Sequence, residues 1–225
     1  MPPSAKPILC YVSDRKSLPA DARGGEAALL EAFERAAAAG VDWMQIREKD
    51  LPGARLAALT RAAQERAAQK TRLLVNDRLD VALAAGAGGV HLGEESLPAE
   101  EVVRWLRSAA GAAGAPRDFL VGVSCHALEA ARAAERAGAD YVFFGPVFAT
   151  PAKAVYGAPQ GLARLGEVCR ALQIPVLAIG GITAENAAEC LAAGARGIAA
   201  IRLFQAAADL SDTVRRLRRA GPRGR

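Results

Sequence analysis

The residues Gln45-Ile46-Arg47-Glu48-Lys49 follow a short apolar segment and combine an amide with two cations. Successive side chains of a β-strand point to opposite faces, so Gln45, Arg47 and Lys49 are predicted to share one side. Such a trio suits the binding of a diphosphate, because arginine offers a bidentate fork and lysine a point charge. A solvated surface triplet is the alternative interpretation.

A carboxylate stands in the next polar group, Asn76-Asp77-Arg78. Near the cations, Asp77 could hold a Mg²⁺ ion that bridges phosphate oxygens. Asn and Asp also cap helices. The residue types alone favour neither role.

A third group, Gly180-Gly181, precedes a predicted helix. Glycines let the backbone approach a ligand closely, and the N–H groups at a helix start favour an anion, although a tight turn alone would use the same residues. Arg202 adds a positive charge, and a long segment adds Thr150 and Lys153. Cations from separate segments indicate a substrate with more than one phosphate, or two phosphorylated substrates.

These groups are spaced along an alternation of short β-branched runs and longer Ala-, Leu-, Glu- and Arg-rich segments. Strands are predicted at Ile8–Val12, Trp43–Ile46, Leu73–Asn76, Gly89–Leu92, Leu120–Ser124, Tyr141–Phe144, Val176–Ile179 and Gly197–Ile201. Helices are predicted over 25–39, 54–69, 79–85, 98–110, 127–137, 160–172, 184–193 and 204–219. Recurrent Ala-Gly phrases end helices where the next strand begins.

Eight strand–helix units predict an α/β fold with a single (β/α)8 TIM barrel over residues 1–225. Function in such a barrel belongs to the loops that follow the strands, and the polar groups lie in those loops. The strand-to-helix link from Gly145 to Gln160 is the longest, as expected of a binding loop.

Composition limits the classes of function. No apolar run is long enough to span a membrane and no secretion signal precedes Pro7, so we expect a cytoplasmic protein without a membrane partner.

The four cysteines form no C-x-x-C pair and are predicted to be buried free thiols. Six arginines in 211–225 account for the net charge of +5. They favour a solvated last helix with a frayed end over nucleic-acid binding.

The ordered motifs resemble the thiamine phosphate synthase family and its thiazole tautomerase branch along nearly the whole chain. The matching phrases are Gln45-Ile-Arg-Glu-Lys49, Val75-Asn-Asp-Arg78, Gly89-Val-His-Leu-Gly93, Gly122-Val-Ser-Cys-His126, Gly138-Ala-Asp-Tyr-Val142, Gly145-Pro-Val-Phe148, Thr150-Pro-Ala-Lys153 and Ala178-Ile-Gly-Gly-Ile182.

The resemblance implies an enzyme of thiamine biosynthesis, a transferase that joins a hydroxymethylpyrimidine diphosphate to a thiazole phosphate and releases diphosphate. It implies pyrimidine diphosphate contacts from Gln45, Arg47, Lys49, Asn76 and Lys153, with Ser124 near the ring. It implies thiazole phosphate contacts from Thr150, Gly180 and Gly181, and Asp77 as a Mg²⁺ ligand. The candidate catalytic residues are Lys153, Arg47, Ser124 and His126. A homodimer is expected, because proteins with this fold commonly form one.

The chain departs from the synthase pattern at the metal site. The pattern usually reads Gly-Gln-Glu-Asp after the fourth strand, and its Asp is a second Mg²⁺ ligand. Here Ser96 takes that position in Gly93-Glu94-Glu95-Ser96. A hydroxyl is a poorer ligand than a carboxylate, so Glu94 or Glu95 is the alternative.

Two further departures concern the thiazole phosphate. Ala152 replaces the second Thr of a Thr-x-Thr-Lys phrase, and Arg202 replaces the usual Ser. Arg202 either substitutes as a phosphate ligand or obstructs the site.

These departures keep two other hypotheses open. A thiazole tautomerase would need no diphosphate site and would use His126 as its acid–base group. A non-catalytic barrel that binds thiamine intermediates is the third. The retained Gln45, Arg47, Lys49 and Lys153 favour the synthase. His91, inside the fourth strand, is predicted to be a hydrogen-bonded core histidine.

Overall fold

A computed structural model of the chain describes residues 6–18, 25–67, 71–108, 114–150 and 158–221. Eight parallel strands follow one another in chain order around a closed barrel. They are β1 (Ile8–Val12), β2 (Trp43–Ile46), β3 (Arg72–Asn76), β4 (Gly89–Leu92), β5 (Leu120–Cys125), β6 (Tyr141–Phe144), β7 (Val176–Ile179) and β8 (Gly197–Ala200). The predicted α/β class and (β/α)8 TIM barrel are confirmed.

The strand boundaries differ little from the prediction. Strand β3 begins one residue earlier, at Arg72, and β5 continues to Cys125. Strand β8 ends at Ala200, because Ile201 already precedes a helix. The apolar runs were sufficient to locate the strands because both faces of a barrel strand are buried.

The helices surround the barrel. They are α1 (Gly25–Ala39), α2 (Gly53–Ala67), α3 (Leu79–Ala84), α4 (Ala99–Arg107), α5 (Leu128–Arg136), α6 (Gly161–Ala171), α7 (Ala187–Ala192), α8 (Arg202–Gln205) and α9 (Leu210–Ala220), with a 3₁₀ turn at Arg15–Ser17. None of the helices in the described part of the chain is long and apolar enough to cross a membrane.

The prediction of one continuous helix over 204–219 is wrong. The segment forms two helices, α8 and α9, separated by residues 206–209. The Asp209 side chain accepts a hydrogen bond from the Asp212 N–H at 2.8 Å and so caps the start of α9. A side-chain cap of this kind favours a new helix start over a continued helix.

Two buried clusters divide the core between the inside and the outside of the barrel. The larger cluster joins the outer strand faces to the helices. The smaller cluster fills the interior with alternate strand residues: Cys10, Val12, Leu74, Tyr141, Phe143, Leu177 and Ala199. Because side chains alternate along a strand, Asn76 lies on the same face of β3 as Leu74. The face of β2 that carries Trp43 likewise carries Gln45, so both polar groups point into the barrel near its mouth.

The cysteines are free thiols, as predicted. Cys10, Cys125 and Cys190 are buried, and Cys169 is partly buried. Burial raises the pKa of the Cys125 thiol to about 12, which keeps it protonated at neutral pH.

The arginine-rich end of the chain contains a structural contact that the sequence did not predict. Helix α9 packs against α1 and α7. The Arg218 guanidinium donates to the Gly40 carbonyl at 2.7 Å, to both Asp42 carboxylate oxygens at 2.8 Å and to the Pro7 carbonyl. Asp42 in turn accepts the Leu9 N–H at 2.7 Å. Arg218 therefore joins α9 to the beginnings of β1 and β2, while the predicted fraying beyond 221 lies outside the described residues.

Candidate active site

A row of polar side chains crosses the ends of β2 and β3. The Gln45 amide donates to Asn76 Oδ1 at 2.8 Å, and the Asn76 amide donates to Asp77 Oδ2 at 2.5 Å. The Lys49 ammonium lies 3.7 Å from Asp77 Oδ2. Gln45 is only 2% exposed, so its amide is fixed by burial as well as by the hydrogen bond. The structure thus brings together four of the predicted site residues.

Asp77 is held in an uncommon conformation that directs its carboxylate toward β4. Its φ is 61°, in the left-handed region that few residues other than glycine adopt. The Ser96 hydroxyl donates to Asp77 Oδ1, and the Gly93 N–H donates to both Ser96 Oγ at 2.7 Å and Asp77 Oδ1 at 3.2 Å. The capping residue of α3 is Arg78, which makes no side-chain cap. Asp77 is therefore not the helix cap that the sequence left as an alternative.

The two glutamates between Gly93 and Ser96 differ from Ser96 in their surroundings. Glu94 is turned toward β5, where its Oε1 lies 3.7 Å from His126 Nε2, and Glu95 is exposed. The Ser96 side chain, by contrast, hydrogen-bonds the Asp77 carboxylate. Within the described ranges, no three His, Cys, Asp or Glu side chains form a group that could hold a metal ion. The Ser96 hydroxyl therefore supplies an oxygen beside the Asp77 carboxylate, whereas Asn76 turns its amide nitrogen to it.

His126 is oriented from both sides of its ring. Its Nδ1 contacts the Gly145 carbonyl, which can only accept a hydrogen bond, so Nδ1 carries a proton. Its Nε2 faces the Glu94 carboxylate. This geometry fixes the ring between the loop after β4 and the loop after β6.

A hydrogen-bonded series inside the barrel ends at Ser124. His91 is 1% exposed, and its Nδ1 and Nε2 lie 3.0 Å from the Tyr141 hydroxyl and 2.9 Å from Ser124 Oγ. Burial raises the pKa of the Tyr141 phenol, which therefore stays a neutral hydroxyl. A Cβ on Gly122 would lie 2.0 Å from the Tyr141 ring, so only glycine admits that ring. The prediction of a hydrogen-bonded core histidine is confirmed, and its link to Ser124 was missed.

A cavity of about 720 Å³ opens beside the ends of β7 and β8. Its lining includes four predicted residues, namely Thr150, Gly180, Gly181 and Arg202. The Arg202 guanidinium donates to the Thr150 hydroxyl at 3.1 Å. Asp14 and Ser17, which follow β1 and were not predicted, also line the cavity.

The two glycines of this cavity have positive φ values and a close backbone neighbour. Gly180 has φ 95° and Gly181 has φ 66°, and a Cβ on Gly180 would lie 2.6 Å from Pro146 Cα. The Phe148 N–H donates to the Gly180 carbonyl at 3.0 Å. The sequence attributed the glycines to the close approach of a ligand, but in the structure it is the loop after β6 that packs closely against the backbone of Gly180.

Two predicted residues lack a described side-chain contact. Lys153, like Ala152, lies outside the described residues. Arg47 is half-buried, and its backbone N–H donates to the Ser13 hydroxyl at 2.9 Å. Arg47 continues the face of β2 that carries Gln45. The described site residues lie at or just after the carboxyl ends of strands and therefore share one mouth of the barrel.

Known proteins are similar to this chain in sequence over most of its length. A family model described as thiamine monophosphate synthase matches residues 10–204. A thiamine-phosphate synthase of Roseiflexus castenholzii is 39% identical over 222 residues, 96% of this chain and 88% of that protein. Another, of Moorella thermoacetica, is 43% identical over 204 residues, 90% of this chain and 92% of that protein.

A solved structure with the same fold is also similar in sequence. The thiamine phosphate pyrophosphorylase from Pyrococcus furiosus superimposes with a TM-score of 0.78 at 32% identity. The match covers 95% of each chain.

The positive φ of Gly180 and its contact with Pro146 can be tested by substitution. Gly180→Ala should lower the free energy of unfolding by more than about 1 kcal/mol, because alanine is strained at this φ and meets Pro146. Gly114→Ala is the control, since a Cβ at Gly114 would meet nothing within 4 Å. It should change stability by less than about 0.5 kcal/mol in urea unfolding. Equal stability of the two variants would contradict the described contact.

Proposed function

The chain belongs to the thiamine monophosphate synthase family, and on that premise we propose that it joins a hydroxymethylpyrimidine diphosphate to a thiazole phosphate with release of diphosphate. One observation carries the proposal. The mouth of the barrel has two polar regions, the Lys49–Asp77–Asn76–Gln45 row over β2 and β3 and the cavity with Thr150 and Arg202 beside β7 and β8. Two regions of this kind suit two phosphorylated substrates.

The row over β2 and β3 is the proposed site of the pyrimidine diphosphate. Arg47 and Lys49 supply positive charge, and the buried Gln45 and the neighbouring Asn76 supply hydrogen-bonding amides. Lys153 is proposed to add a third cation from the loop after β6. Ser124, held by His91, is proposed to contact the ring.

The residues around Asp77 fit a Mg²⁺ ion. The donors are the Asp77 carboxylate and the Ser96 hydroxyl, both hard oxygen ligands. Mg²⁺ is commonly held by one or two carboxylates together with substrate phosphates and water, so a single carboxylate is compatible with binding. When bound, the ion would neutralise charge on diphosphate oxygens.

The cavity beside β7 and β8 is the proposed site of the thiazole phosphate. Thr150 offers a hydroxyl and Arg202 a guanidinium, and the two are already hydrogen-bonded to each other. Arg202 is thus proposed to replace the usual serine as a phosphate ligand. Gly180 and Gly181 complete the wall.

The proposed reaction breaks the bond between the pyrimidine methylene carbon and a diphosphate oxygen, and the thiazole nitrogen forms a bond to that carbon. The electron pair of the broken bond leaves with the diphosphate. Arg47 and Lys49 stabilise this developing charge, which is the largest demand of the step. Little proton transfer is required, so the reaction needs no strong general base.

A tautomerase is the second candidate function. It is favoured by one observation, the orientation of His126 between the Gly145 carbonyl and Glu94. An imidazole fixed in this way suits the movement of a proton on a thiazole carboxylate phosphate.

The homodimer and the cytoplasmic location expected from the sequence stay predictions.

A two-substrate assay separates the candidate functions. The purified protein should release diphosphate only when the pyrimidine diphosphate, the thiazole phosphate and Mg²⁺ are all present. His126→Ala should retain this activity, because the step requires little proton transfer. No diphosphate release by the wild-type protein, together with Mg²⁺-independent isomerisation that His126→Ala abolishes, would favour the tautomerase. Tight binding of both substrates without either turnover would indicate a non-catalytic barrel.

The Ser96 position tests the proposed metal site. Ser96→Asp should lower the Mg²⁺ concentration for half-maximal activity by about tenfold, since a second carboxylate strengthens the site. The same variant should be less stable than the wild type in EDTA, because two carboxylates then repel each other at the Asp77 contact. Ser96→Ala serves as the control for loss of the hydroxyl. An unchanged Mg²⁺ dependence in Ser96→Asp would place the metal elsewhere.

A further inference from the structure

Two carboxylates flank Lys49 in the sequence, and both are held by one arginine on the neighbouring loop. Arg15 Nη1 donates to Glu48 Oε2 at 2.8 Å, and its two terminal nitrogens donate to the two Asp50 oxygens at 2.6 and 2.7 Å. Lys16 adds an ion pair to Asp50 at 3.1 Å. We call Ser13, Arg15, Glu48 and Asp50 the Arg15 cluster.

Ser13 connects this cluster to the backbone of the proposed diphosphate site. The Ser13 N–H continues the β1–β2 ladder by donating to the Gln45 carbonyl at 2.9 Å. Its hydroxyl donates to Glu48 Oε1 at 2.6 Å and accepts the Arg47 N–H at 2.9 Å. The Arg15 N–H also donates to Glu48 Oε1, at 3.0 Å. The backbone at Arg47 is therefore fixed after the regular strand has ended.

The cluster lies on the opposite side of the β2 loop from Lys49. Glu48 and Asp50 contact the loop after β1, whereas the Lys49 ammonium approaches Asp77 after β3. Strands β1 and β3 lie on either side of β2 in the barrel. Anchoring residues 48 and 50 on one side thus directs the intervening Lys49 to the other, where the polar row begins.

The cluster also compensates charge beside a polyanion site. The Glu48 side chain is 2% exposed, so its charge is compensated by Arg15 and Ser13 rather than by water. The hydrogen bond from Arg15 holds the pKa of the Asp50 carboxyl well below its usual range. Asp50 is therefore ionised and paired with Arg15 at neutral pH. Without Arg15, two negative charges adjacent to Lys49 would oppose the approach of a diphosphate.

We propose that Glu48 and Arg15, acting through Ser13, are positioning residues that present Arg47 and Lys49 to the diphosphate of the substrate. This inference rests on the proposed function, because it concerns the same site. Neither Glu48 nor Arg15 is assigned a contact with the substrate. Glu48 accepts from the Ser13 hydroxyl, which in turn accepts the Arg47 N–H, and Arg15 bonds the carboxylates on either side of Lys49.

Glu48→Ala is the variant that tests the proposal. Arg15 is left in place, because Asp14 and Ser17 of the same turn line the cavity on the thiazole side. The Kd for inorganic diphosphate with Mg²⁺, measured by calorimetry, and the KM for the pyrimidine diphosphate should each rise about tenfold, as is typical when a supporting partner is lost. The KM for the thiazole phosphate should stay within about twofold. A purely structural role would move both KM values together.

Three variants serve as comparisons. Glu48→Gln retains an oxygen acceptor for the Ser13 hydroxyl and the Arg15 N–H and should recover part of the loss. Ser13→Ala should show the same selective effect at smaller size, and it replaces Glu48→Ala if that variant does not fold. Asp118→Ala removes the ion pair with Arg72 at the amino ends of β3 and β5, and should leave both KM values unchanged.

The outcomes separate the inference from the proposed function. Wild-type binding of diphosphate together with equal changes of both KM values, or with no change in folded Glu48→Ala and Ser13→Ala, would overturn the inference alone. Absence of diphosphate binding and turnover in the wild-type protein would overturn the proposed function and the inference with it.

Discussion

The closed parallel barrel places the carboxyl ends of all eight strands at one mouth, and this constraint brings together charges that are far apart in the sequence. Like charges at such a mouth repel unless each is set against a partner. Lys49 lies near Asp77 from the next loop, and Arg15 holds Glu48 and Asp50 from the loop before. The ion pairs therefore connect the β2 loop to the loop before it on one side of Lys49 and to the loop after it on the other.

Much of the fold could be predicted from the sequence, because buried parallel strands are uniformly apolar and glycines end the helices. Strand alternation predicted a shared side for Gln45, Arg47 and Lys49, and the structure places Gln45 and Lys49 beside Asn76 and Asp77. Contacts between loops could not be predicted, since they depend on the barrel geometry. The pairing of Glu94 with His126 and the contacts of Arg15 and Arg218 belong to this class. The break before α9 was signalled by Asp209, whose spacing to Asp212 is that of a helix cap.

The departures from the family pattern become interpretable through their contacts. Ser96 hydrogen-bonds Asp77, so the proposed Mg²⁺ position would offer one carboxylate and a hydroxyl. Arg202 hydrogen-bonds Thr150 in the cavity wall, which is compatible with a phosphate ligand there. Both changes lower the number of acidic or small neutral groups at the mouth and raise its positive character. A site of that character favours the departure of an anion.

The most direct test of the account is a crystal structure of the protein with inorganic diphosphate and Mg²⁺. The account predicts diphosphate oxygens within hydrogen-bonding distance of Arg47 and Lys49, with the metal on Asp77 and the Ser96 hydroxyl. A diphosphate bound at another surface, or bound at the mouth without either cation, would contradict it.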